Sequence, residues 1–265
     1  MLPPKMLHRE FESPEELQDI IKCFWYNKGD YSEEQSNFEV IPDGYAEIIF
    51  YFGPISSVSY NGIVQTLHSP FLMGLLNQPA TINATNCVEI LAVRCFPWTV
   101  FDILGLTSEI TGVHIFEHPI AQLQEELSQY IQKGKVEEAI DRLKQYFLNI
   151  HAQIPKDSML FNAGILMRKT KGSLPVKQIA EKAYTTVRTL ERKFKKSSGH
   201  TVKDVSALIR FEQVRNQLWV YPDSNIAAIA QEFGYTDQAH LSKEFKRYSG
   251  TTPAAFARKI KKWKP

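Results

Sequence analysis

Arg188, Arg192 and Lys196 follow one another at four-residue spacing, which places three cationic side chains on one stripe of a helix. Further on, Gln238 and Lys243 stand at a corresponding place in a second segment. Arginine and lysine suit the paired acceptors of guanine in the major groove, and glutamine suits adenine. The chemistry these residues could do is therefore base reading rather than bond making.

The elements that must position them form an internal repeat. "IAEKAYTTVRTLERKFKKSSGHT" (179–201) laid over "IAQEFGYTDQAHLSKEFKRYSGTT" (229–252) pairs Tyr184, Thr185, Leu190, Phe194, Lys195, Ser198, Gly199 and Thr201 with residues 51 positions later. The preceding Ile-Ala pair recurs at 50, so the second copy holds one extra residue at its turn. Each copy reads as a short helix with Ile and Ala inward, a tight polar turn, and a second helix whose Leu and Phe lie four apart on one face. The opposite face of that second helix is left to the cationic and amide side chains. Between the copies, Val205, Leu208, Ile209, Val214 and Leu218 keep a helical period from Lys203 to Tyr221. A helix of that length measures about 28 Å, of the same order as the roughly 34 Å between successive major-groove turns on one face of DNA.

Charge points the same way. Residues 1–155 hold 9 Lys+Arg against 20 Asp+Glu (9 − 20 = −11), whereas residues 156–265 hold 22 against 9 (22 − 9 = +13), a split hidden in the net +2 of the whole chain. So basic a segment is the electrostatic footprint of a nucleic-acid binder, although charge alone leaves a merely solvated surface open. Double-stranded DNA is the expected partner.

The arrangement of a helix-turn-helix, a linker helix and a second helix-turn-helix resembles the DNA-binding module of the AraC family over about 100 residues, from Ser158 to Lys259. The second copy carries the match, with Ile229, Ala230, Gly234, Tyr235, Asp237, Phe245, Lys246, Gly250, Pro253 and Phe256 in the family's places. The first copy departs from it. Ala183-Tyr184 stands where the second has a glycine-bearing turn, and a tighter turn there is expected to tilt the first recognition helix. The resemblance implies that Arg188 and Arg192 face bases from the first helix and Gln238, Ala239 and Lys243 from the second. It makes Thr186, Thr189, Lys196, His240 and Lys246 phosphate or rim contacts, which fix register without carrying sequence information.

The expected fold class is α+β, with a mixed β/α domain over residues 1–152 and an all-α double helix-turn-helix domain over 156–265, the boundary falling near Pro155. In the first domain "SNFEVIPDGYAEIIFYFG" reads as a strand, a turn at Pro42-Asp43-Gly44 and a strand ending at Gly53, and "VEILAVRCF" as another strand. Pro97 opens a short helix that Gly105 closes, and 118–133 and 135–151 form a helical pair separated by Gly134. Less specifically, these stretches resemble a cupin-like domain with a Pro-Asp-Gly turn. That resemblance implies a role in sensing a small molecule or in homodimerisation. Trp25, Phe50, Phe52, Phe71, Phe96 and Trp98 are the candidate pocket residues, with an ordinary aromatic core as the competing account.

Other classes of chemistry lack residues to rest on. His8, His68, His114 and His118 are scattered, and the pair at 114 and 118 has no third ligand, so no metal or other cofactor is expected. There is no Gly-rich phosphate loop, GxSxG elbow or Cys-His pairing, so an enzyme is not expected. No apolar run reaches the roughly 18 residues of a membrane helix, the N-terminus lacks signal-peptide layout, and the three cysteines form no CxxC pair. These features read as a cytoplasmic protein without a membrane, whose three thiols are expected in the core. A ligand-responsive regulator, a DNA-binding protein controlled by partner proteins and an enzyme fused to a DNA-binding module remain the competing readings.

Overall fold

The computed structural model describes residues 6–32, 37–106, 112–154 and 157–263. The boundary expected at Pro155 lies outside them. The chain divides into two compact units, one of 1–40, 45–74 and 80–156, the other of 41–44, 75–79 and 157–265.

The first unit is richer in strands than its sequence suggests. Strands β1 (Met6–Glu12), β2 (Ile21–Tyr31), β4 (Ala46–Phe52), β7 (Phe71–Met73), β9 (Asn86–Cys95) and β10 (Val113–Ile115) form an antiparallel sheet in the order β1-β2-β9-β4-β7-β10. A second sheet joins β3 (Asn37–Val40), β8 (Ala80–Ala84), β5 (Ile55–Tyr60) and β6 (Ile63–Thr66) in the order β3-β8-β5-β6. The expected strands on either side of Pro42-Asp43-Gly44 are therefore present as β3 and β4, but they belong to different sheets and make no hairpin.

Successive strand side chains point to opposite faces, and the two faces of the larger sheet differ. One presents Phe24, Tyr26, Ile48, Phe50, Leu72, Leu91 and Val93 to helices α1 (Val100–Leu104), α2 (Leu123–Gln132) and α3 (Val136–Ile150). Leu127, Ile131, Ala139, Ile140, Leu143 and Phe147 from α2 and α3 complete that core. Gly105 and Gly134 end the preceding segments at the expected places. The opposite face carries a row in which Cys23, Arg94, Glu47 and Met73 lie side by side, and beside it a row of Trp25, Ala92, Ile49 and Phe71. Cys23 and Cys95 are buried but Cys87 is exposed. The expectation of three core thiols fails there because the first two residues of β9 run beyond the packed face.

The second unit is helical: α4 (Ser158–Lys169), α5 (Val176–Lys182), α6 (Val187–Ser198), α7 (Val202–Val220), α8 (Ile226–Glu232), α9 (Gln238–Ser249) and α10 (Pro253–Trp263). Asp157 caps α4 by accepting from the amides of Met159 and Leu160. Gly172 follows α4 at φ +71, and a Cβ there would meet the Ser206 carbonyl of α7 at 2.2 Å, so the close approach of these helices needs glycine. Thr201 and Asp204 form a reciprocal capping box at the start of α7. Val205, Leu208, Ile209, Val214 and Leu218 are buried as expected, and Phe211 joins them against Phe245 and Tyr248. No helix among the described residues is long and apolar enough to cross a membrane.

Candidate nucleic-acid interface

The repeat is a structural one. In each copy the first helix, α5 or α8, buries Ile-Ala (Ile179-Ala180, Ile229-Ala230), and the second, α6 or α9, buries Leu and Phe (Leu190 and Phe194, Leu241 and Phe245). The recognition helices start on side-chain caps. Thr186 Oγ1 accepts from the Thr189 amide at 3.2 Å, and Asp237 Oδ1 from the His240 amide at 2.7 Å. They end alike. Ser198 and Ser249 donate back to the carbonyls of Phe194 and Phe245 at 2.7 and 2.8 Å, and Gly199 and Gly250 follow in the left-handed conformation.

The turn differs from its sequence pairing. Tyr184 has φ +53 and Gly234 φ +72. The Tyr184 amide donates to Glu181 O and that of Thr185 to Ala180 O, just as Gly234 donates to Gln231 O and Tyr235 to Ala230 O. Tyr184 therefore occupies the slot of Gly234, not that of Tyr235, and the extra residue of the second copy is Thr236, between Tyr235 and the Asp237 cap. The first turn is thus one residue shorter than the second, four residues between α5 and α6 against five between α8 and α9. Its peculiarity is a tyrosine, 96% exposed, where its counterpart is glycine.

With the turns so aligned, the exposed faces of α6 and α9 correspond residue by residue from cap to cap. Arg188, Arg192, Lys195 and Lys196 are exposed on α6, and Ala239, Lys243, Lys246 and Arg247 are exposed at the matching positions of α9, with Gln238 beside them. The burial of Leu190-Phe194 and Leu241-Phe245 holds each stripe outward. Of the residues expected to touch phosphate, Lys196 and Lys246 lie on the stripes. Thr186 serves as the helix cap, Thr189 is half-buried and bonded to it at 3.0 Å, and the His240 ring accepts from the Thr236 amide at 3.4 Å and stands edge-on to Tyr235. Lys195 and Arg247 were given no DNA contact by the sequence reading, although the offset of 51 pairs them with Lys246 and Lys196.

Ion pairs fix the recognition helices to the rest of the unit. Arg210 of α7 reaches Glu244 of α9 at 3.2 Å and lies 4.9 Å from the centre of the Tyr235 ring. Burial, reinforced by the charge of Glu244, pushes the Tyr235 hydroxyl well above the usual phenol range, so it stays protonated. On the other copy Lys193 of α6 pairs with Asp157, and Glu191 accepts from the Val202 amide at 3.0 Å, joining α6 to the start of α7. The 19 residues of α7 span about 28 Å between the two copies.

In the first unit, the candidate pocket residues do not converge. Phe50 and Phe52 sit on the side packed by helices, whereas Trp25 and Phe71 lie on the opposite sheet face. Phe96 and Trp98 stack on each other at 5.1 Å just after β9. Beside Trp25 is a polar group the sequence did not suggest: Glu47 accepts from Trp25 Nε1 at 3.0 Å and from Arg94 Nε at 2.7 Å, and Arg94 lies 5.4 Å from the Tyr45 ring centre. Burial raises the Cys23 thiol beside it to about 11. His118 accepts from the Ile120 amide at 3.2 Å, a local structural use. Among the described residues no cluster of three His, Cys, Asp or Glu is placed to hold a metal.

A β-rich unit and a helical unit with outward-facing stripes at matching positions of α6 and α9 define a protein carrying a double helix-turn-helix module. Comparison with known proteins agrees. Residues 179–259 match the family described as a helix-turn-helix domain, and residues 9–116 match a domain of unknown function (DUF6597). The transcriptional activator RhaS of Mannheimia succiniciproducens is 34% identical over 76 residues, 29% of this chain and 28% of its own. The Msm operon regulatory protein of Streptococcus mutans is 32% identical over 88 residues, 33% and 31% of the two chains. The chain thus spans under a third of the length of these relatives. The structure of Vibrio cholerae ToxT bound to (E)-4-(8-methylnaphthalen-1-yl)but-3-enoic acid covers 96% of this chain and 99% of its own with a TM-score of 0.50 at 11% identity, a likeness of fold. The helix-turn-helix match covers residues 179–259, so it is the helical unit that carries a helix-turn-helix domain.

Proposed function

We propose that the protein is a sequence-specific, DNA-binding transcription regulator that reads two successive major-groove turns with α6 and α9. The observation that carries this reading is the pair of matching exposed stripes, Arg188-Arg192-Lys195-Lys196 and Ala239-Lys243-Lys246-Arg247. A cationic surface gains affinity by releasing condensed counterions, and duplicating the stripe on a second helix held by the same linker helix α7 gives it register. In the same reading Arg188, Arg192, Gln238, Ala239 and Lys243 meet base edges, and Lys195, Lys196, Lys246 and Arg247 meet phosphates.

Control belongs to the first unit in this reading. A small-molecule effector is favoured over partner proteins by two observations: the polar Trp25-Glu47-Arg94 group beside apolar Ile49 and Phe71, and the small molecule carried by ToxT. Such a ligand acts by preferring one arrangement of a homodimer, or of the acidic and basic halves, over another. The test is selection of bound duplexes from a random library by the full chain. Recovery of two conserved blocks about one helical turn apart supports the reading. No enriched sequence, with or without cell-extract small molecules, would remove it.

A further inference from the structure

Resting on that reading, we infer that Val187 is a base-reading residue that takes the methyl group of a thymine, with Tyr184 as its apolar neighbour against the DNA backbone. Single exposed apolar residues are ordinary on protein surfaces, so exposure alone decides nothing. Three observations make these two different. Val187 is 41% and Tyr184 96% exposed, and Val187 directly precedes Arg188, to which this reading gives a base contact. Val187 is the first residue of α6 and therefore matches Gln238, the first residue of α9, a position from which recognition helices touch base edges. Tyr184 keeps a left-handed backbone in a slot that the other copy gives to glycine, so a large side chain is retained where the turn itself does not call for one.

The chemistry follows from the groove. Thymine alone among the DNA bases presents a methyl group there, and it is recognised by apolar contact. Valine, with two methyl groups and no polar atom, can meet a methyl but cannot serve the acceptors of guanine or adenine. The surrounding cations supply charge complementarity to DNA. The two copies then present different readers at matched positions: Val187 and Arg188 on α6, against Gln238 and Ala239 on α9. A thymine beside a guanine is expected in the first block. The second block is expected to hold an adenine beside a thymine.

The experiment uses the full chain and the selected operator, with each thymine replaced in turn by uracil, which lacks only the methyl. Wild-type protein should lose about fourfold in affinity at one first-block position, the worth of one methyl withdrawn from water. Val187→Ser should abolish that loss while leaving any uracil sensitivity in the second block unchanged, and Val187→Gln should shift the preference at that position toward adenine. Tyr184→Gly should weaken thymine and uracil duplexes by the same factor. Uracil sensitivity absent from the first block, or surviving Val187→Ser, would overturn the inference while leaving DNA reading intact. Failure to select any operator would instead remove the proposed function and this inference with it.

Discussion

Exchanging the residue at the helix-turn-helix turn should have opposite signs in the two copies. At Tyr184, φ +53 costs a non-glycine residue about 1–2 kcal/mol. Glycine relieves this but gains roughly 0.5–1 kcal/mol of freedom in the unfolded chain, which offsets part of the relief. Because the side chain is 96% exposed, little packing is lost. Tyr184→Gly should therefore stabilise the helical unit by about 0.5–1 kcal/mol. At Gly234, φ +72, alanine incurs the conformational cost, and its Cβ would stand 3.3 Å from that of Ser173. Gly234→Ala should destabilise by about 1 kcal/mol after the smaller unfolded-state entropy is credited. Urea denaturation of the full chain, followed by far-ultraviolet circular dichroism, should show midpoints moving apart at constant slope. A Tyr184→Gly midpoint lower than wild type would refute the argument, since it would mean that the tyrosine holds the turn.

Three further outcomes follow from the site. Arg192→Ala should relax base preference at one operator position, whereas Lys246→Ala should weaken all sequences alike and reduce the salt slope by about 1, both read by titration of operator and scrambled duplexes. Arg210→Ala should cost about 2–3 kcal/mol in urea unfolding, because Glu244 is left charged beside the largely buried Tyr235; a cost below 1 kcal/mol would show that water replaces the guanidinium. For Asp157, burial opposes ionisation, but the hydrogen bond from Lys193 and those from the Leu160 and Met159 amides outweigh it and hold the carboxyl below the usual range. A depressed native pKa contributes stability that is present above the unfolded pKa and lost as pH falls through the native one. The urea midpoint of Asp157→Asn, which keeps the cap but not the charge, should therefore fall less than that of wild type between about pH 5 and pH 2.

Legibility in the sequence followed the range of the interactions involved. The helical unit could be read because its signals are local: caps, three- and four-residue apolar spacing, and a repeat whose buried Leu and Phe recur with fixed offset. The strands of the first unit were mostly missed. Short strands such as β6, with Ile63 and Val64 both about two-thirds exposed, have no alternation to detect, and β2 has buried residues on both faces. The assignment of β3 and β4 to different sheets depends on partners, β8 and β9, more than 30 residues away, and no local turn chemistry encodes that. The Trp25-Glu47-Arg94 group was invisible for the same reason, since three strands bring it together.

The turn of the first copy shows a different limit. Pairing Tyr184 with Tyr235 by identity satisfies the letters but violates the backbone, because one tyrosine is in the left-handed region and almost fully exposed while the other is 6% exposed beneath Arg210. What is repeated is a set of backbone slots, defined by which amide donates to which carbonyl, and side chains vary within them. Identity therefore aligns the buried positions, where packing restricts the choice, and misleads at the exposed turn, where it does not. The same freedom makes the exposed stripes differ in type between copies. Arg188 stands against Ala239 and Val187 against Gln238 on otherwise equivalent helices. Two scaffolds so alike with outward faces so different are suited to an asymmetric pair of DNA blocks, because equal blocks would leave at least one of the two helices facing bases its side chains cannot pair with.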